Sequence, residues 1–396
     1  MVVKIVKLDN FGRGITYIDG KICFVYNALP SEEVEIEISK TTKKYLEANV
    51  VCYISKSVNR CSDTCCNSSC GGCSLRHMSF SYENKFKKEK INDIMMKYAG
   101  LQPDIINDIV YSNEDYYRNK VVLHGKNGKL GLYREGSNDL VEIRNCFLLN
   151  RKINEVIDIL SDINKDISYA LIKTSNDLQY SLVSLLGEVN NIDRLTDVCD
   201  VVILNDVVLT SSSYIETSIG SMKYYQSSDS FFQINTILTK DLYDCVYKYL
   251  DGLKNIKLLD LYCGTGTIGI YVSDLCSKII GIDYNESNIS DANKNKELNN
   301  IDNISFICDK VENRIGSFKD IDVVIVDPPR SGLDSKSREY LLKIMPLRII
   351  YVSCDPITLA RDLNELKDKY IVKNITPFNM FPRTYHVECV CVLCLR

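Results

Sequence analysis

Three stretches of this 396-residue chain combine residue types that could do chemistry. The first is Val352-Ser353-Cys354-Asp355-Pro356, between the β-rich run Arg348-Ile349-Ile350-Tyr351 and a helical pattern at 358–363. That pattern puts Cys354 at the carboxyl end of a strand, the side of an open α/β sheet where ligands bind. The second is Asp260-Leu261-Tyr262-Cys263-Gly264-Thr265-Gly266, whose glycines let the backbone pass close to a ligand as the next helix opens. The third is His386-Val387-Glu388-Cys389-Val390, a lone acid in an apolar run. A thiolate that adds to C6 of uracil turns C5 into an enolate-like carbon able to attack an electrophilic methyl group. A base must then take the C5 proton so that the thiol can leave. Cys354 as nucleophile, Glu388 as base and the glycine loop as a seat for S-adenosylmethionine complete that set. A uridine in RNA would be the substrate.

Plainer readings exist. Cys354 would otherwise be one more strand-end core cysteine, and Glu388 a surface residue on an edge strand. The proline that follows Cys354 so closely, and the isolation of Glu388 between Val387 and Cys389, count against both.

Residues 216–396 alternate strands (258–262, 278–283, 304–308, 323–326, 348–353, 371–377, 388–394) with helices (237–250, 268–276, 286–299, 335–344, 358–370). This implies an α/β, doubly wound parallel sheet with a hairpin-like end. Asp283 ends the second strand, where an acid accepts hydrogen bonds from a ribose; Asp309 ends the third, placed for an adenine. Together with the glycine loop they resemble a class I methyltransferase, a Rossmann-like domain that binds S-adenosylmethionine. Asp327-Pro328-Pro329-Arg330 ends the fourth strand. In amino-methyltransferases an aromatic stacks on the base at the place Arg330 holds, which argues against adenine N6 methylation.

Residues 1–58 read as short strands at 3–8, 14–18, 22–26, 33–39 and 46–55, the pattern of a small OB-like barrel. Gly12-Arg13-Gly14, Asp19-Gly20-Lys21 before Phe24-Val25, and Ala28-Leu29-Pro30 resemble a TRAM domain, an RNA-binding β-barrel. Residues 59–215 are assigned to a cysteine-rich segment and a mixed α+β central domain. This domain has strands at 121–125, 130–134, 140–143, 170–174, 180–186 and 201–209 and a helix at 152–162. Arg118, Lys120, Tyr133 and Arg134 are candidate RNA contacts. A basic amphipathic helix at 81–100 carries Lys85, Lys87, Lys88 and Lys90, which would meet phosphate or, more ordinarily, solvent.

The net charge of −4 does not by itself suggest a nucleic-acid partner, but residues 1–100 are basic and the remainder acidic. No apolar run reaches the ~18 residues of a membrane span, and no secretory pattern opens the chain, so a cytoplasmic protein is expected. Its 17 cysteines are then no disulfide framework. Cys23, Cys52, Cys199, Cys276, Cys308, Cys391 and Cys394 lie singly in apolar strands and read as small core residues. Cys65, Cys70 and Cys73 differ: two of them flank a Gly-Gly turn that folds tightly around an ion or cluster. Cys146 is the best distant candidate for a fourth ligand. Zinc sites usually bring a second Cys or His pair, and none is present, so the spacing favours iron–sulfur over zinc. Whether Cys61, Cys65 or Cys66 is the upstream ligand stays open.

Five motifs occur in order: Ser230-Phe231-Phe232-Gln233-Ile234-Asn235, the glycine loop, Asp327-Pro328-Pro329-Arg330-Ser331-Gly332, Ser353-Cys354-Asp355-Pro356 with Thr358-Leu359-Ala360-Arg361-Asp362, and Met380-Phe381-Pro382 with Thr384 and His386-Val387-Glu388. The chain resembles the RNA uracil-5-methyltransferase family, of the 23S rRNA type, over nearly its whole length. The resemblance implies that Gln233, Tyr262, Gly264, Asp283, Asp309 and Asp327 line the S-adenosylmethionine site, and that Cys354 and Glu388 are catalytic. It also implies a [4Fe–4S] cluster on Cys70, Cys73, Cys146 and one upstream cysteine. It implies 23S rRNA as partner, with tRNA as the alternative, and a monomer. Two departures stand out: Thr64 occupies the place of the family's usual upstream cysteine, and Asp283 replaces a more usual Glu. A module that binds RNA without catalysis is the reading from another class, and the intact Cys354 and Glu388 count against it.

Overall fold

The structure is a computed structural model that describes residues 1–62, 65, 67 and 69–396. Cys66, a candidate ligand, lies outside the described residues. The N-terminal barrel has six strands rather than five. The expected strand 3–8 is split into Val2–Lys4, which pairs with Glu33–Thr41, and Lys7–Leu8, which pairs with Gly14–Ile18. Between them the buried Ile5 donates its N–H to Glu32 O and Val6 donates to Ile15 O. The two halves of this one strand therefore sit at opposite edges of the sheet and close it, which leaves no free edge.

The central sheet runs Val207–Val208, Val201–Leu204, Ser181–Val189, Asn164–Thr174, Lys120–Lys126, Lys129–Tyr133, Leu140–Glu142 in spatial order. The helix Arg151–Ile163 buries Ile153, Val156, Ile157 and Leu160 against it. The expected single strand 201–209 is instead a hairpin. Asn205 and Asp206 both take positive φ (49° and 64°), the turn geometry that short polar side chains tolerate best. A further hairpin, Tyr214–Ile219 with Met222–Ser227, has no counterpart in the sequence reading, and the 215/216 boundary falls within its first strand.

The C-terminal sheet has the spatial order Ile304–Cys308, Cys276–Asp283, Ile256–Leu261, Val323–Val326, Arg348–Ser353, Glu388–Leu395, Tyr370–Phe378. The first five strands are parallel and, buried on both faces, read as nearly continuous apolar runs such as Val323–Val326. Glu388–Leu395 inserts antiparallel between Arg348–Ser353 and Tyr370–Phe378. Its first residue therefore meets the carboxyl ends of the parallel strands. Residues 106–110 run beside the outer strand and cover its edge, with Asn107 N donating to Ile375 O and Val110 N to Pro377 O.

The helix Phe80–Ile94 was expected to carry a solvated or phosphate-binding lysine face, and it does neither. Only Lys85 projects into solvent. Lys87 and Lys90 are buried, and Lys88 is tied to Ile106 O, Asn107 O and Asp108. Ile91, Ile94 and Met95 share a core with Leu359, Leu363 and Leu366 of the helix Pro356–Leu366, so this helix packs on the C-terminal sheet. Two cysteines read as core residues, Cys52 and Cys308, are exposed. The first faces outward from a half-solvated barrel strand, and the second ends the edge strand of its sheet. Among the described residues, no helix is long and apolar enough to cross a membrane.

Candidate active site

The carboxyl ends of the parallel strands gather most of the predicted residues. After Ile256–Leu261 the backbone turns through left-handed conformations at Tyr262 (φ 62°), Gly264 (53°) and Gly266 (74°). Glycine is required at 266, where a Cβ would lie 2.4 Å from the Phe306 ring. The turn points Gly264 N–H at Asp283, whose Oδ2 accepts it at 3.1 Å, while Oδ1 accepts from Asn285 N and Asn288 Nδ2. Asp283 thus braces the loop from the next strand.

Gln233, Tyr262, Gly264 and Asp327 line one small cavity of about 30 Å³, together with Phe231, Phe232, Asp260 and Thr265. Asp309 stands apart from it. Its carboxylate accepts from Lys310 N, Asn313 Nδ2 and Arg314 Nε at 2.8–3.1 Å, as a cap for the turn that follows. Asp260, in the floor, is fully enclosed, and burial with Asp327 nearby pushes its carboxyl up to about 8. It is therefore a neutral acid at pH 7 and accepts the Gly269 N–H at 3.2 Å.

Strand register brings the proposed nucleophile and base together. Val352 pairs with Val390 and Ser353 with Cys389, the last pair of the ladder; Cys354 follows as the chain leaves its strand and Glu388 precedes Cys389 on the other, so both lie at this end of the sheet. Asp355 N-caps the following helix through Ile357 N and Thr358 N, both at 2.9 Å, and Pro356 takes the first helical position. This fixes the loop that carries Cys354. Burial pushes the Cys354 thiol up to about 12, and Glu388 and Asp327 add to it while Arg330 opposes. Burial and Asp327 likewise hold Glu388 well above the usual carboxylate range, and it is only 4% exposed. Asp327 is also raised by its burial.

Two residues that the sequence reading did not assign complete the rim. The Arg330 guanidinium donates to His386 Nε2 at 3.4 Å. Burial and the Arg330 charge push His386 down to about 4, so the ring is neutral and free to accept. His386 stacks on Tyr385 at 4.2 Å, and Tyr385 meets Phe11 of the barrel edge-on at 5.1 Å. Arg330 was legible only as the residue that replaces an aromatic; its pairing with His386 depends on tertiary approach.

A separate cavity of about 880 Å³ lies between the barrel, the cysteine segment and the central sheet. Cys61, Cys65, Cys70, Cys73 and Cys146 line it, with Arg118 and Lys120. Cys73 is pushed up to about 12 by burial and by Cys146, Cys65 and Cys70, with Arg76 opposing. The Cys61 thiol lies 3.1 and 3.0 Å from Arg76 O and Met78 O, and Cys70 Sγ accepts from Gly72 N at 3.3 Å. Among the described residues, no three His, Cys, Asp or Glu side chains converge closely enough to hold a single metal ion. Of the other predicted RNA contacts, Tyr133 is exposed and stacks on His124 at 4.5 Å, and Arg134 is exposed on the adjoining turn.

A small closed barrel joined to a Rossmann-like sheet, with a glycine loop and acids at its strand ends, defines a class I methyltransferase with a nucleic-acid-binding module. The sequence matches the tRNA (uracil-5-)-methyltransferase family over residues 164–396 and the TRAM domain over residues 1–51. It is 32% identical to an RNA methyltransferase of Clostridium tetani across 96% of this chain and 93% of that one. It is 31% identical to one of Staphylococcus aureus, across 99% and 97%. The fold resembles the tRNA (uracil-54, C5)-methyltransferase of Pyrococcus abyssi, solved with S-adenosyl-L-homocysteine. The TM-score is 0.81 at 26% identity, covering 99% of this chain and all of that one. The chain belongs to the RNA (uracil-5-)-methyltransferase family and is an S-adenosylmethionine-dependent enzyme.

Proposed function

We propose that the protein methylates C5 of a uridine in 23S rRNA through a covalent adduct of Cys354 with C6 of the base. The observation that supports this reading is that Cys354 and Glu388 flank the last pair of one antiparallel ladder, Ser353–Cys389, close enough for Glu388 and Asp327 to raise the Cys354 thiol. S-adenosylmethionine, held by Gln233, Tyr262, Gly264, Asp283 and Asp327, supplies an electrophilic methyl group; Asp309 would reach its adenine end only by loosening its present cap. The Cys354 thiol gives up its proton to solvent as its sulfur bonds to C6, and the electron pair of the C5–C6 double bond forms the bond from C5 to the methyl carbon while that carbon's bond to the sulfonium sulfur breaks. Glu388 in its ionised form, which Arg330 favours, then takes the C5 proton, the double bond re-forms and the thiolate leaves. Arg330, beside both groups, offsets the negative charge that develops there.

The cysteine cavity suits an iron–sulfur cluster. Cys65, Cys70, Cys73 and Cys146 line it together, and their spacing resembles iron–sulfur more than zinc sites. Cys65, Cys70, Cys73 and Cys146 would hold a [4Fe–4S] cluster. Cys61 lines the same cavity and is the alternative upstream ligand. The role would be structural or RNA-positioning, since no step above moves an electron. We keep the division at 1–58, 59–215 and 216–396 as the functional one: RNA-binding barrel, cysteine and central segment, and methyltransferase domain.

A tRNA substrate is the second reading, favoured by the full-length likeness to the Pyrococcus abyssi enzyme. Labelled methyl transfer to unmodified 23S rRNA, 16S rRNA and tRNA, with identification of the product nucleoside, separates the two. 5-Methyluridine in 23S rRNA is expected. The same nucleoside in tRNA alone would keep the chemistry and replace the substrate.

A further inference from the structure

The base, Glu388, opens a strand whose hairpin connection is residues 379–387, since Phe378 pairs directly with Glu388. That connection is not a free loop. It is held at Asn379, Phe381 O, Arg383 N and Tyr385 O by an element far away in sequence, the helix Phe80–Ile94. Glu83, Lys87 and Lys90 stand at i, i+4 and i+7 and therefore share one helix face. Glu83 and Lys87 are completely buried. Lys87 Nζ donates to Glu83 Oε1 at 2.8 Å, to Asn379 Oδ1 at 2.6 Å and to Phe381 O at 3.1 Å. Glu83 accepts from Arg383 N at 3.0 and 3.1 Å and from Asn379 Nδ2 at 3.1 Å. Lys90 Nζ donates to Tyr385 O at 2.9 Å.

Arg383 is held at φ 67°, a left-handed conformation that an arginine rarely adopts. Its carbonyl accepts from Ser74 N and Leu75 N, both at 3.0 Å, and its guanidinium donates to Met78 O at 2.7 Å and to Glu114. Tyr117 OH closes the set on Pro382 O at 3.1 Å. A fully buried ion pair contributes little net stability compared with apolar residues of the same shape. Its arms here end on the backbone of the connection that carries the base.

We infer that Glu83 and Lys87 are positioning residues: together they fix the 379–387 connection so that Glu388 meets the C5 proton. The inference rests on the reading of Glu388 as that base. It separates two halves of the reaction. Adduct formation at C6 needs Cys354 and the methyl donor, whereas release needs a correctly placed base. Substrate that carries 5-fluorouridine stops after methyl transfer, because no proton remains at C5 to be taken.

The test uses the full-length protein and whichever 23S rRNA or tRNA transcript accepts methyl from it, made with uridine or with 5-fluorouridine. The paired variant E83M/K87M removes both charges at nearly constant volume, and E83Q keeps the acceptor for Arg383 N. In E83M/K87M, release on the uridine transcript should slow by about 100-fold, the scale of a catalytic group misplaced by about 1 Å. A covalent protein–RNA species should accumulate there, while the rate of adduct formation on the 5-fluorouridine transcript stays within about threefold of wild type. E83Q should recover most of the release rate, because one carboxamide oxygen still holds Arg383 N. Equal losses in adduct formation and release, or no loss in release, would overturn the inference and leave a purely structural pair. E388Q serves as the reference: it should stall at the adduct. Wild-type turnover by E388Q would remove the base assignment itself, and the inference with it. If E83M/K87M fails to fold, the same split is read in K87M, which removes the bonds to Glu83, Asn379 and Phe381 O, and in N379L, which removes those to Lys87, Glu83 and Asn84.

Discussion

The two thiol sites share a shift and differ in their company. Cys354 at the sheet end and Cys73 in the cavity are both pushed up to about 12, in each case first by burial. Around Cys354 the secondary contributors are carboxylates, Glu388 and Asp327, with Arg330 in opposition. Around Cys73 they are other thiols, Cys146, Cys65 and Cys70, with Arg76 in opposition. A raised thiol is therefore no mark of catalysis; its neighbours are what discriminate. One thiol beside acids changes charge when a single positive group, such as a sulfonium, comes near. A metal centre bound among thiols would instead displace protons from the cysteines that ligate it.

The largest effect expected is at the lone thiol. Cys354→Ala should lower methyl transfer by at least about 10⁴-fold, because no other group there can add to C6. Binding of S-adenosylmethionine, followed by calorimetry, should stay within about twofold, since the thiol is absent from the small cavity that the cofactor residues line. Turnover near wild type would erase the distinction between the two sites. Cys73→Ser should act on a different readout. Iron and acid-labile sulfide in anaerobically purified protein should fall below about half of the wild-type content, while Cys61→Ala leaves both in place. Stoichiometric zinc without iron in the wild type would replace the cluster with an ion. Loss of iron in Cys61→Ala would move the upstream ligand from Cys65 to Cys61.

Much of this was legible from residues because the physics is local. Parallel strands buried on both faces announce themselves as apolar runs, and the topology then forces Tyr262, Asp283, Asp327 and Cys354 to one end of the sheet. What escaped depends on approach across long sequence separation. The i, i+4, i+7 spacing of Glu83, Lys87 and Lys90 is the pattern of a buried stripe, but charged residue types made it read as a wet face. Only the loop at 379–386, nearly 300 positions away, makes their burial tolerable. The split of the first barrel strand turns on Ile5 and Val6 changing partners, which no propensity encodes. The hairpin at Asn205-Asp206 did carry a signal, two adjacent residues suited to positive φ, lost inside an apolar stretch.

The smallest effect sharpens the comparison through pH. Glu388 titrates above its ordinary range in the folded protein because of burial and Asp327. Below the unfolded-state value near 4.3 both states hold the proton, and the group adds no pH dependence. As pH rises past that value the unfolded chain releases the proton while the folded chain keeps it, so folding is increasingly penalised until the raised folded value is passed. Glu388→Gln removes the penalty and keeps the shape. Its melting temperature should exceed that of wild type by about 1 °C near pH 8, the shift that roughly 1 kcal/mol gives a chain of this length. The two should coincide near pH 4. Calorimetry at the two pH values reads the difference between variant and wild type, a difference that includes the relief of Asp327, which titrates with Glu388. A gain that persists unchanged at pH 4 would mean that packing, not ionisation, sets the cost of Glu388. The acid-lined thiol site would then differ from the cysteine cavity in geometry alone.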